Sequence, residues 1–345
     1  MAGTEARVKR SFTVVGHSPD VVELRTGVWN PRSYTVTDES GKGKLFDLIR
    51  GLDGTRSHRE LSKMHGVSRA TVEAVVDHLR TLDAVEWSPG SALDSYLDQM
   101  STLRVEDGAT ASRPERCVVI GDDPLADAIA GLTQDANATK VERLSAGNRL
   151  TERIATLDET AVHDGLRLAK LAESFAELRG AYLLWAQTVV HPMRSRAFNR
   201  IAIELGIPWT HVALDGPFLL IGPTIIPGSS PCYECFETRV AMNLRESASY
   251  VAYKQALAAG TVKHGTPPML AAVRQILAGH AALEAVNYLT TGSAFTIGKV
   301  LGIYLPTMEI AYQDVLRLPG CAACGSVRGR DDASLYFDAR TWTNE

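Results

Sequence analysis

The chain predicts a two-domain α/β protein: a small N-terminal module of three strands and three helices, then a larger domain on a largely parallel sheet. Three observations carry this expectation. The first ninety residues run as short β-branched strands and then as helical text with well-marked caps. From Cys117 onward, short apolar runs alternate with helical segments, which is the pattern of βαβ units. Two Cys-x-x-Cys pairs, Cys232–Cys235 and Cys321–Cys324, fall late in that second half.

In the first module, residues 12–15, 21–24 and 33–37 read as strands, divided by turn text at Gly16-His17-Ser18-Pro19 and Trp29-Asn30-Pro31. Residues 40–50 place Leu45, Leu48 and Ile49 on one helical face. Ser57, with Glu60 three residues on, forms a capping box that opens a short helix to residue 64. Beyond Gly66, Ser68 caps a third helix, in which Val72, Val75, Val76, Leu79 and Leu82 recur at helical spacing. Residues 85–87 return to extended text. Together these elements make a winged helix-turn-helix over residues 1–88. Residues 89–115 read as a linker: 93–103 suits a short amphipathic helix, whereas 104–114 is polar and rich in helix breakers.

The second domain, residues 116–345, opens on a buried strand at 117–121 and a helix at 124–132. A strand at 139–144, helical text to 178 and an apolar strand at 181–186 follow. The helix at 192–205 starts on a proline and stops at Gly206. Strands at 209–214 and 218–226, a long helix at 267–289, and strands at 300–305 and 309–316 lead into Cys321.

With 345 residues, 45% hydrophobic and 22% charged, the chain has apolar surface enough for real cores. A net charge of −4 gives no general reason to expect nucleic acid or an acidic membrane as partner. No signal peptide and no bilayer-length apolar run is evident. Two cysteine pairs with one further cysteine, Cys117, fit a reducing cytoplasm. The pairs themselves supply four thiolates, the ligand set of a closed, structural Zn²⁺ site. Redox dithiol chemistry is the alternative; two such pairs favour metal over it.

One run of motifs has a familiar order: Leu205-Gly206-Ile207-Pro208-Trp209, Gly222, Pro231 with the first cysteine pair, a long helix, then the second pair. Across residues 116–325 the chain thereby resembles the ThiF-type adenylating proteins, relatives of ubiquitin-activating enzymes with a Rossmann-type α/β domain. The resemblance implies that Cys232, Cys235, Cys321 and Cys324 hold a structural zinc. Active members adenylate a carboxylate with ATP, using a Gly-x-Gly-x-x-Gly turn that accepts phosphates at a helix N-terminus. Here that turn reads Gly121-Asp122-Asp123-Pro124-Leu125-Ala126. Carboxylates where phosphates would sit oppose nucleotide binding. The family's Ser-Asn-Leu-x-Arg motif stands as Ser145-Ala146-Gly147-Asn148-Arg149. Its Mg²⁺ aspartate is replaced within Gln187-Thr188-Val189-Val190-His191. His191 reads as a structural group, and ATP is not expected to bind productively.

A winged helix fused to such a degenerate domain resembles the ocin-ThiF-like partner proteins of YcaO-type cyclodehydratases, found in azole, azoline and thiopeptide biosynthesis. Their N-terminal module is the RiPP recognition element, where a leader peptide adds as a strand beside the third β-strand and packs on the third helix. Carried onto this chain, that implies a leader site at Arg32, Ser33, Tyr34, Thr35, Val36 and Thr37. Arg69, Val72, Glu73, Val76 and Arg80 would form its helical wall. It also implies no catalytic residues in this chain. The YcaO protein would spend ATP to form thiazolines or oxazolines from Cys, Ser or Thr. A homodimer is expected on the same resemblance. Two other readings stand: an adenylating enzyme acting on a peptide or carrier-protein carboxylate, and a DNA-binding regulator. Against DNA, residues 1–90 carry thirteen Lys/Arg and twelve Asp/Glu, and the third helix mixes both signs.

Overall fold

β-Branched text in the first forty residues forms a small antiparallel sheet in the computed structural model, which describes residues 5–29, 32–88, 90–100, 113–157, 160–265 and 267–325. After β1 (Arg7–Val8) come β2 (Thr13–Ser18), β3 (Val21–Thr26) and β4 (Arg32–Thr37), in spatial order β2-β3-β4. Val22 and Leu24 of β3 and Val36 of β4 point to one side, because strand side chains alternate, and they are buried there. The helices α1 (Leu45–Gly51), α2 (His58–His65) and α3 (Arg69–Thr81) supply Leu48, Leu61, Val72 and Leu79 to the same core. The capping box of α2 is formed: Ser57 Oγ accepts from the Glu60 amide at 3.3 Å, and Glu60 accepts from the Ser57 amide at 2.8 Å. β5 (Val85–Glu86) pairs antiparallel with β1. α4 (Ala92–Gln99) follows, and its Asp98 lies 3.3 Å from Lys9. The chain divides into two compact units, Met1–Ser101 and Thr102–Glu345. The turn residues Asn30 and Pro31 and most of the expected linker lie outside the described residues.

The second unit is a seven-stranded sheet in order β12-β11-β10-β9-β8-β6-β7. Its strands are β6 (Arg116–Gly121), β7 (Lys140–Arg143), β8 (Ala181–Gln187), β9 (Trp209–Asp215), β10 (Phe218–Ile225), β11 (Lys299–Tyr304) and β12 (Glu309–Asp314). The stretch β7-β6-β8-β9 is parallel, and β9-β10-β11-β12 is antiparallel. The sheet is therefore mixed rather than largely parallel. Gly216 and Pro217 alone join β9 to β10, and a two-residue link is too short for a crossover.

Every residue of β8 is buried, as a central strand covered on both faces requires. Tyr182, Leu184 and Ala186 pack with α5 (Asp123–Asp135) and α11 (Ala271–Thr291). Leu183 and Trp185 face the other way, into a core shared with α6 (Arg149–Ala155), α7 (Gly165–Glu173), α8 (Pro192–Leu205) and the cysteines. Two helices fall in text to which the sequence assigned nothing, α9 (Tyr233–Asn243) and α10 (Ser247–Ala258). Two others start later than their apolar pattern. α1 waits for the turn at Gly41 and Gly43, both with positive φ, and α11 follows the extended Pro267-Pro268.

Candidate functional site

Arg32 to Thr37 make up β4, the outermost strand of the first unit's sheet. β4 pairs with β3 on one side and with no described strand on the other. Ser33, Thr35 and Thr37 are exposed, while Val36 is buried and Tyr34 is half-buried against Phe12. The Arg32 guanidinium lies over the same Phe12 ring, 5.4 Å from its centroid. The α3 residues divide in two. Val72 and Val76 are buried in the unit's own core. Arg69 and Glu73 pair at 2.8 Å at the surface, and Arg80 pairs with Asp77 at 3.2 Å. The valines therefore hold α3 in place, and the charged residues are what it presents.

In the second unit the two cysteine pairs converge. Cys232 caps α9, Cys235 sits one turn into that helix, and Cys321 and Cys324 occupy the turn after β12. Their Sγ atoms all lie within 4.8 Å of one another. Cys232 is 3.9 Å from Cys235 and 3.7 Å from Cys321, and Cys235 is 3.5 Å from Cys324. A tetrahedron of thiolates on metal–sulfur bonds of about 2.3 Å has edges of about 3.8 Å, so this set fits one metal ion with no open position. The Leu318 amide donates to Cys235 Sγ at 3.4 Å, a contact that favours the thiolate.

Around this centre lies a buried charge cluster. Glu234, between the paired cysteines, is 3% exposed. It accepts from Arg200 through Nε at 2.6 Å and Nη2 at 3.1 Å, and from Arg196 at 3.3 Å. These bonds to Glu234 raise the Arg200 pKa. Glu237 is tied to Tyr250 at 2.7 Å and Lys254 at 2.9 Å, joining α9 to α10. Asn199 accepts from the Tyr233 amide at 3.0 Å and fixes the start of α9. The sequence reading passed over Arg200 and both glutamates. Glu234 had a visible signal, a carboxylate inside a cysteine motif, but its partner is set by how α8 packs on α9.

The turn after β6 is closed by its own side chains. Gly121 has φ +117°, and a Cβ there would meet the Ala186 carbonyl at 1.8 Å, so the turn runs directly against β8. The Asp122 carboxylate accepts from both the amide and the hydroxyl of Thr188, tying the end of β8 to the start of α5. Asp123 accepts from Arg143 at 2.6 Å, and Asp127 does so at 2.8 Å. Arg143 also donates to the Gly121 carbonyl at 3.2 Å. Nothing in the spacing of these residues announced that knot. His191 caps α8 through Nδ1, accepting from the Arg194 amide at 3.2 Å.

Beside Thr188 opens a cavity of about 1320 Å³ between the β9–β12 half of the sheet and helices α9 and α10. His211 and Tyr233 line its inner wall, and Asp215 and Tyr253 line its outer part. Burial pushes His211 down to about 4, so its imidazole is neutral at physiological pH. Asp215 touches solvent, yet the enclosing walls push its carboxyl pKa up.

No protein-family model matches the chain, and no curated protein matches it. Solved structures do. A heterocyclase in complex with substrate and cofactor aligns with 93% of this chain at a TM-score of 0.64 and 14% identity. The heterocyclase TruD aligns over the same share at 0.62 and 17%. The fold is shared with part of each of these two proteins. The chain spans 40% of the first and 43% of the second, less than half of either. The microcin C7 biosynthetic enzyme MccB in complex with N-formylated MccA aligns more weakly, at 0.51 and 13% identity over 93% of this chain and 100% of that one.

Proposed function

We propose that this chain is a noncatalytic, leader-binding subunit that delivers a ribosomally made precursor peptide to a YcaO-type cyclodehydratase. The observation that carries the reading is the outer edge of β4, which pairs with no described strand, in a chain whose fold covers under half of a heterocyclase. An unpaired strand edge supplies backbone donors and acceptors for an added strand, and neighbouring side chains supply selection. On this reading residues 1–88 are a winged helix-turn-helix acting as a RiPP recognition element, 89–115 a linker and 116–345 a ThiF-like scaffold. Exposed Ser33, Thr35 and Thr37 would lie beside the leader, with Arg32, Arg69, Glu73 and Arg80 selecting its side chains. The scaffold would be clamped by zinc at Cys232, Cys235, Cys321 and Cys324, work in the cytoplasm and pair as a homodimer. Its contribution to ring formation would be proximity, raising the local concentration of the core peptide at the partner's active site.

Asp122, bound by Thr188, and Asp123, paired with Arg143, support a scaffold over an adenylating enzyme, because on the ThiF resemblance this turn is where phosphates would be held. A titration of the purified chain with fluorescent leader peptides, MgATP and duplex DNA tests the reading. The leaders would come from short open reading frames beside its gene. Micromolar leader binding that Ser33→Pro with Thr35→Pro abolishes, with circular dichroism unchanged, is the expected result. The end-to-end likeness to MccB keeps the adenylating reading as the second one. Firm MgATP binding, with pyrophosphate exchange that depends on a carboxylate, would establish it instead.

A further inference from the structure

The first unit leaves two large apolar side chains in water at one place. Val28 is 75% exposed and Trp29 97%, side by side in the loop of residues 27–31 that joins β3 to β4. Single apolar residues are ordinary on a surface, but Trp29 is the most exposed large apolar side chain among the described residues and has an apolar neighbour.

The form of this loop does not depend on either side chain. Arg25 donates Nε to the Gly27 carbonyl at 3.1 Å and Nη2 to the Val28 carbonyl at 2.8 Å. Gly27 turns the chain at φ +83°, a conformation that costs glycine no steric penalty. Across the base of the loop, Thr26 Oγ1 accepts from the Arg32 amide at 3.3 Å. The backbone is therefore set by polar contacts, and it presents an indole outward. An aromatic side chain on a preset backbone loses little freedom when it binds, which is what makes a good anchor.

The loop runs directly into β4. Six residues, Arg32–Thr37, give the outer edge of that strand a length of about 20 Å. Trp29 precedes Arg32 by three residues, so its Cα lies within about 10 Å of that end of the edge. A strand added beside β4 and continued a little past Arg32 meets the loop. Two guanidiniums stand there, Arg25 bound to the loop carbonyls and Arg32 over the Phe12 ring. Their charge opposes the arrival of a lysine or arginine at the indole face, so a large apolar side chain is the better match.

We propose that Trp29 is a specificity-determining residue of the leader site, packing on a large apolar leader side chain just beyond the residues paired with Arg32–Thr37. The inference rests on leader capture at β4 and deepens it. Backbone pairing along β4 accepts many sequences, whereas Trp29 gives one leader position a preference.

The test uses the full chain and fluorescent leader peptides from the short open reading frames beside its gene, with each leader residue replaced by alanine in turn. Anisotropy titrations are expected to show Trp29→Ala weakening the leader at least about tenfold, with the thermal midpoint unchanged, and Trp29→Phe recovering most of the loss. One alanine, at a large apolar leader residue, should weaken binding to the unmutated chain by a similar factor. The same alanine should weaken binding to Trp29→Ala by less than about twofold, the non-additivity that direct contact produces. Leader affinity unchanged in Trp29→Ala overturns this inference and leaves leader capture standing. Coupling to a charged leader residue, or to none, does the same. No leader binding by the unmutated chain overturns both.

Discussion

Arg200 on α8 grips Glu234 on α9 through two nitrogens, Nε at 2.6 Å and Nη2 at 3.1 Å, immediately beside the cysteine cluster. The pair is nearly dry, with the Arg200 side chain 12% exposed and that of Glu234 4%. Removing one partner of such a pair leaves a buried charge without its main counter-ion. Arg200→Ala is therefore expected to lower unfolding stability by about 3–5 kcal/mol in urea titrations. Arg200→Lys should recover only part of that, because an ammonium cannot meet both carboxylate oxygens as the guanidinium fork does.

Four thiols within 4.8 Å predict a metal that belongs to the folded state. Atomic emission on the purified chain should find about one zinc ion per chain. Cys235→Ser should lose it, and the thermal midpoint should fall by roughly 10 °C, in line with a loss of at least about 3 kcal/mol. The same fall should follow prolonged chelation of the unmutated protein. A metal-free chain with an unchanged midpoint would mean that the cysteines close no metal site.

Asp122 ties the end of β8 to the start of α5 by accepting twice from Thr188. Asp122→Ala is expected to cost about 1–2 kcal/mol, since hydrogen bonds to a charged acceptor are stronger than average. Thr188→Val removes only the hydroxyl bond and should cost less. Hydrogen exchange should report the loosening at residues 187–191 first.

A fourth prediction concerns pH. His211 is buried and held at about 4, below the ordinary histidine value of 6.5. Between those values the unfolded chain binds the proton and the folded chain does not. Stability from this group is thus complete above pH ~6.5 and is lost as pH falls toward ~4, by about 3 kcal/mol. His191, lowered to about 4 by burial and then by Arg194 and His264, acts in the same direction over the same window. Urea midpoints measured from pH 7 down to pH 4.5 should therefore decline, and His211→Phe should flatten part of the decline.

Much of the fold was legible because its signals are local. The Ser57–Glu60 capping box and the Gly206 stop each depend on a few neighbouring residues and form where they were read, and the β-branched strands form too, although β2 runs on to Ser18 through text read as a turn. Segments whose form depends on distant partners were not legible. α9 and α10 present weak apolar periodicity, because α9 buries Glu234 and Glu237 against charged partners and α10 buries no residue fully. The antiparallel half of the sheet followed from a two-residue link that reads, alone, as an ordinary turn.

The candidate sites divide the same way. By itself the sequence determined the four cysteines, the carboxylates of the Asp122-Asp123 turn and the strand that ends up as β4, since residue type and spacing carry that information. Tertiary structure decided that Val72 and Val76 face the core, that Arg143 neutralises Asp123 and Asp127, and that His211 keeps an unpaired nitrogen beside an acidic cavity. The physical reason is range. Caps, turns and metal pairs are satisfied within a few residues, whereas a buried charge or lone pair is satisfied, or left wanting, by whatever the packing of remote segments brings to it.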